Sequence, residues 1–253
     1  KNVVADWSAH EKPINPFIVR YARKPKRLVV EFELANNYTG ETDFPWCDPE
    51  QIWRHIRLLA CLGAYGCVGR LVNTERLQAG TIFDTPNEVN VWAFSRTLVD
   101  PGRLLVEPGD TWWHDYDHFD TSIWTDWARL RFGERAASEV IFVLQQTPRL
   151  VDLTMNICGA FFEWPWRGEK RDAVLDHYVP FAFRAVEKCG AAHALAEKAE
   201  AERICAQAIE RIERLRPVMP ADGYRIVREA FERARHVVAI YRATAEAFIA
   251  AID

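Results

Sequence analysis

Residues 1–105 alternate short apolar runs with amphipathic stretches, whereas residues 120–253 carry an almost unbroken helical rhythm. Lys1–Trp7 (KNVVADW) predicts a short strand that ends at an acidic residue. Arg27–Leu34 is β-branched and apolar over a strand's length and predicts a second. Asp48-Pro49-Glu50 opens a helix, with Asp48 as N-cap and Pro49 at the first helical position. Ile52, Ile56, Leu59 and Leu62 then share one helical face, and Gly63 is placed to stop it. Tyr65–Val72 predicts a third, buried strand. Asn87–Leu98 predicts a helix closed by Asp100-Pro101-Gly102.

Such alternation predicts parallel strand pairing, in which chemistry gathers at the carboxyl ends of the strands. The polar residues at those ends are Asp6, Asn36-Asn37-Tyr38 and Asn73-Thr74-Glu75. In the second half, Thr121-Ser122 starts a helix through Trp124, Trp127 and Leu130 that stops at Gly133. Another runs from Glu134 to Gln146, and Pro148, Gly159 and Pro165 punctuate the next stretch. Two long helices end the sequence, one through Leu195, Ile204, Ala208, Ile212 and Leu215, the other through Ile226, Ala230, Val237, Tyr241, Phe248 and Ile252. A short turn at Pro217 predicts that they form an antiparallel hairpin.

The fold class expected is α/β followed by all-α. Residues 1–105 would be a partial (β/α)8 barrel, its late strands and helices, and residues 106–253 a C-terminal helical domain. A closed barrel needs about 200 residues or more, so three strands supply only its last part. Three strands alone leave unpaired edges and a bare core face. The expectation is that an upstream segment or a complementary chain completes the sheet, or else that the fold is smaller than a barrel. The first residue is lysine and no signal-peptide pattern is present, which fits a chain that starts part-way through a longer protein.

Composition narrows the classes. With 49% hydrophobic residues, disorder is excluded, and no run approaches the ~18 uninterrupted apolar residues of a membrane span. The 36 acidic and 32 basic residues give a net charge of −4, so there is no basic footprint for nucleic acid. Ten tryptophans suit a heavily packed core or a surface that stacks on planar or sugar-like ligands. Six cysteines occur without a CxxC pair and mostly in apolar segments, which predicts buried free thiols, a reducing compartment and a cytoplasmic protein.

The strongest polar grouping is Asp6 with Glu31, Glu33 and Asn37. Positions 31 and 33 fall on the same side of their strand, and two acids in so apolar a run are costly to bury unpaired. One reading is an acid/base or substrate-gripping cluster at a barrel mouth. The other is a structural bridge from one acid to Lys26, Arg27 or Arg70. Arg70 ends its strand and either binds an anion or pairs with Glu33.

The chain also resembles a known family in patches over residues 1–160. Lys1-Asn2 with Asp6, then Val30-Glu31-Phe32-Glu33 leading to Asn37-Tyr38-Thr39-Gly40, is similar to the "KNGPID" and "EFQ…QEYTG" stretches of the family 67 glycoside hydrolases, the α-glucuronidases. Asn87–Arg96 with Asp100-Pro101 resembles that family's "AQANLYGFGRLAWNP" helix, and Trp127–Gly133 its "EWxxxTFG" helix. The resemblance implies an inverting hydrolysis of uronic-acid-containing or related glycosides. It implies that Asp6 activates water and that Lys1 grips the uronate carboxylate; Arg70, placed at a strand end, is expected to hold a carboxylate or hydroxyl beside it. The family's second active-site acid falls on Asn37, an amide that cannot act as a base; Glu33, or Glu31, would take over tuning or hydroxyl binding with Tyr38. The family's general acid lies upstream of the matched stretches, and inversion needs two carboxyls about 6.5–9.5 Å apart. The resemblance implies a carbohydrate partner and no metal or organic cofactor. The rival readings are a non-catalytic carbohydrate-binding relative and a helical module that forms a homodimer or binds another protein.

Three further segments carry weaker signals. His114 and His118 are four apart among Asp115, Asp117 and Asp120 and would suit a metal if helical. No apolar period supports a helix there, so a packed connector or a sugar-stacking loop is expected instead. Phe161–Arg167 reads as a satellite core or an oligomer surface. Asp84 and Asn87 read as caps of the helix beginning there, with Glu88 complementing its dipole.

Overall fold

The structure, a computed structural model, describes residues 29–35, 44–61, 64–71, 81–99, 119–158, 160–161 and 179–252. The expected strand at Lys1–Trp7 and the segments 100–118 and 162–178 lie outside these residues. What is described is mostly helical with few strands.

Alternation along Val29–Glu33 builds strand β1: Val30 and Phe32 are buried, and Val29 is half-exposed. Helix α1 (Pro49–Cys61) comes next, capped as its sequence predicts, with the Gln51 N–H donating to Asp48 Oδ1 at 3.1 Å. Strand β2 (Gly66–Arg70) then pairs with β1 in parallel, Val29 opposite Gly66 and Glu33 opposite Arg70. Helix α2 (Glu88–Val99) packs on α1. Between sheet and helices lies a core of Val30, Phe32, Leu34, Ile52, Trp53 and Ile56. Gly69 lets β2 pack closely, since a Cβ there would stand 2.5 Å from Leu34 Cδ1 and 3.2 Å from Phe94 Cε1, so those side chains would have to shift. The opposite sheet face carries Val29 and Val68, 50% and 53% exposed.

The second half begins with α3 (Ser122–Phe132), α4 (Ala137–Leu144) and α5 (Thr147–Met155). Gly133 ends α3 at φ +81°, a region that favours glycine. The single helix expected over 134–146 is shorter, and Pro148 does not interrupt the chain. Proline lacks the N–H that a first turn leaves unpaired, so Pro148 sits in the first turn of α5. A short antiparallel hairpin, β3 (Asn156–Ile157) and β4 (Ala160–Phe161), leads to α6 (Val179–Cys189). The long helices α7 (Ala191–Leu215) and α8 (Ala221–Ile252) form the expected hairpin. Trp127, Phe132, Leu144, Ile212, Phe231 and Tyr241 fill the core among these helices. Gly223 lets α8 approach α3, because a Cβ there would meet the Arg131 carbonyl oxygen at 2.6 Å.

The two cores meet at Trp92 and Phe119, which touch both. The expectation of free cysteines is corrected at one pair. Cys158 and Cys189 are joined in a disulfide, with Cα atoms 6.2 Å apart across 31 positions. Cys47, Cys67 and Cys205 are free thiols, as expected. Among the described residues no helix is long and apolar enough to cross a membrane.

Candidate functional site

Parallel pairing puts the ends of β1 and β2 side by side, and two charged side chains of the expected site meet there. Glu31 stands opposite Val68, two pairs before Arg70 and on the same face of the sheet. The Arg70 Nη1 lies 3.4 Å from Glu31 Oε1, and each side chain is 37% exposed. At that exposure an ion pair contributes little to stability, about 0–1 kcal/mol, but it fixes where both groups point. A bridge to Glu31 is therefore present. Glu33 pairs with Arg70 through strand register, and its side chain lies outside the described part of the chain. Lys1, Asp6, Asn37 and Tyr38 also lie outside the described residues, as do His114 and His118.

Beneath this rim the chain is held by side-chain amides. The Leu34 N–H extends the ladder to the Arg70 carbonyl at 3.2 Å. The Leu34 carbonyl then accepts from Asn90 Nδ2 at 3.1 Å, and Ala35 is fully buried. The same Asn90 amide donates to the Trp46 carbonyl at 2.7 Å, while its Oδ1 accepts the Asp48 N–H at 2.9 Å. Three residues earlier, Asn87 accepts the Trp46 N–H at 2.7 Å and donates to the Phe44 carbonyl at 3.2 Å. Thr147 Oγ1 accepts the Cys47 N–H at 2.8 Å.

Residues 44–48 are thus a buried segment outside any helix or strand, and these backbone bonds go largely to side chains. A strand there would need a neighbour, and helix α2 with the turn before it supplies two asparagines in its place. This corrects the expected role of Asn87, which clamps that segment instead of capping α2. Asn90, Trp46 and Thr147 were not expected at the site. The signal for Asn90 is a second asparagine at i+3 in an otherwise apolar stretch, Val89 to Ala93.

No protein-family model matches the chain, and no curated protein matches it.

Glu88 adds a partly buried acid on the other side of α2. Its Oε2 accepts from Trp127 Nε1 at 3.2 Å and from Arg131 Nε at 2.8 Å. Burial raises its pKa above the usual carboxylate range, while Arg131 and the Trp127 bond pull it back. Its partners are structural, and it ties α2 to α3. On α1, burial drives His55 down to about 4, with Arg54 adding to the shift, so the imidazole is neutral near pH 7. Its ring lies 6.5 Å from that of Phe32, beside the sheet core and only partly buried. Among the described residues no group of three or more His, Cys, Asp and Glu side chains could hold a metal ion.

Proposed function

We propose that the protein is a carbohydrate-active protein of the α-glucuronidase type, built on the late part of a (β/α)8 barrel with a helical domain attached. It hydrolyses uronic-acid-containing or related glycosides by acid/base chemistry with inversion. Asp6 activates the water. Glu33 tunes it or holds sugar hydroxyls, with Glu31, Asn37 and Tyr38 lining the substrate. Lys1 and Arg70 hold the carboxylate, a task suited to a compact ammonium and a planar guanidinium. The general acid comes from outside the stretches that resemble the family, from a preceding segment or a complementary chain.

One observation carries this reading. β1, α1 and β2 form a parallel strand–helix–strand unit, with Glu31 and Arg70 paired toward the carboxyl ends of its strands. Ligands of parallel α/β folds bind at that end.

The same ion pair favours a second reading, a non-catalytic carbohydrate-binding relative. An arginine already matched to Glu31 has less charge to offer a substrate, and a bridged glutamate is a poorer base.

The test is release of aryl alcohol from aryl glucuronides and other aryl glycosides, with wild-type protein beside Asp6→Ala and Arg70→Ala. Turnover lost in Asp6→Ala and weakened substrate binding in Arg70→Ala support the hydrolase. Equal rates in wild type and Asp6→Ala remove Asp6 from the mechanism. Binding of glucuronate without turnover establishes the second reading.

A further inference from the structure

Among the helices of the second half, a cleft of about 130 Å³ opens between the α4–α5 corner and α7. Its floor is apolar: Val143, Ile204 and Ala208 are buried there. Its rim is cationic. Arg149, Arg203 and Arg211 line it, against the single carboxylate of Glu200.

The three guanidiniums are not equally engaged. Arg211 is bonded to Glu139 and lies over the Phe142 ring, 4.6 Å from its centroid. Arg149 reaches Glu200 only at 3.4 and 3.5 Å. Arg203 bonds the neutral Gln207 amide oxygen at 3.1 Å, and no described carboxylate lies within ion-pair distance of it. A fork of donors that meets only an amide, above an apolar floor, is the arrangement that captures a planar anion with a hydrophobic body.

We propose that this cleft binds a small organic carboxylate, its carboxylate on Arg203 with Arg149 alongside, and its apolar body against Val143, Ile204 and Ala208. The volume admits a single ring or short chain and excludes a drug-sized ligand, which needs about 300 Å³ or more. Gln207 gives up its bond to Arg203 when the ligand arrives. Phe142, half-exposed, closes one side of the bound ring. The inference stands on α4, α5 and α7 and is independent of the hydrolase reading.

The experiment is calorimetric or NMR titration of the protein at low ionic strength with sodium benzoate, benzamide and inorganic phosphate. Benzoate is expected to saturate, with benzamide at least tenfold weaker, a difference of about 1.4 kcal/mol. Phosphate, which has nothing to place on the floor, is expected to bind more weakly than benzoate. Arg203→Gln changes an exposed position, so its thermal midpoint should match wild type while its benzoate affinity drops at least tenfold. Backbone amide shifts should map to α4 and α7. No saturation up to about 10 mM benzoate, or equal affinity for benzoate and benzamide, overturns the proposal. So does an unchanged affinity in Arg203→Gln. Phosphate binding as tightly as benzoate would reassign the cleft to bare anions and overturn the organic ligand.

Discussion

Lys198 is fully buried on α7, and its ammonium donates to three carbonyls at the end of α5, those of Leu153 (2.5 Å), Thr154 (3.0 Å) and Asn156. A helix leaves its last four carbonyls without intrahelical partners, and a cation there also complements the negative end of the dipole. Lys198→Met keeps the volume of the chain and removes every donor. Each orphaned carbonyl costs about 1–3 kcal/mol. Three of them would cost more than the whole, because the variant no longer buries a cation and the carbonyls can shift toward water. We expect a net loss of about 3 kcal/mol, near the lower bound for breaking a buried charged contact. For a chain of this size each kcal/mol moves the midpoint by roughly 2–4 °C, so Tm should fall by about 6–12 °C. Calorimetry and urea unfolding read this directly, with Lys188→Met on the exposed end of α6 as the control that stays within about 0.5 kcal/mol. The pH dependence gives a second reading. Burial drives Lys198 down to about 8 from its ordinary 10.5. Between those values the unfolded chain binds the proton and the folded chain does not, so this group makes stability rise with pH from about 8 to 10.5. That slope should be present in wild type and missing from Lys198→Met. A variant as stable as wild type, or with the same alkaline slope, would refute the account.

His55 carries the opposite limb. With its pKa at about 4 against an ordinary 6.5, its contribution is complete above about 6.5 and lost as pH falls toward 4. Urea midpoints from pH 7 to 4.5 should show an acid-side loss of about 1–2 kcal/mol, discounted for partial exposure, that His55→Gln removes. Asn90→Leu removes the amide that bonds the Leu34 and Trp46 carbonyls and the Asp48 N–H, so denaturant unfolding should show a loss of about 3 kcal/mol; a neutral result would mean the clamp is dispensable. A non-reducing peptide map should recover Cys158 joined to Cys189. Reduction should cost about 3–4 kcal/mol by loop-entropy reasoning, and Cys189→Ser should abolish the sensitivity to reductant.

Local signals carried most of the architecture. Asp48-Pro49 marks the start of α1 because the cap and the proline act within one turn, and alternation over 29–34 marks β1 for the same reason. The α7–α8 hairpin comes from two apolar stripes and a short turn. What was hidden depends on partners far along the chain. Asn87 looks like a cap until residues 44–48 lie beside it, and its neighbour Asn90 looks like an ordinary helix residue. Cys158 and Cys189 sit in unrelated local contexts, so composition favoured free thiols. At the rim, Glu31, Glu33 and Arg70 were legible as neighbours, but the Arg70–Glu31 contact joins residues 39 positions apart and depends on the parallel pairing of β1 and β2. Asp6, the proposed base, lies outside the residues that the structure describes.

Asn90 also bears on how this protein can change. It grips Leu34 just before the chain departs from β1 and grips Trp46 and Asp48 where it comes back to begin α1. Both ends of the excursion through residues 36–43 are therefore anchored to a single side chain. A change at Asn90 would therefore be transmitted at once to the end of the first strand and to the start of α1, so the mutual placement of these two elements hangs on one amide.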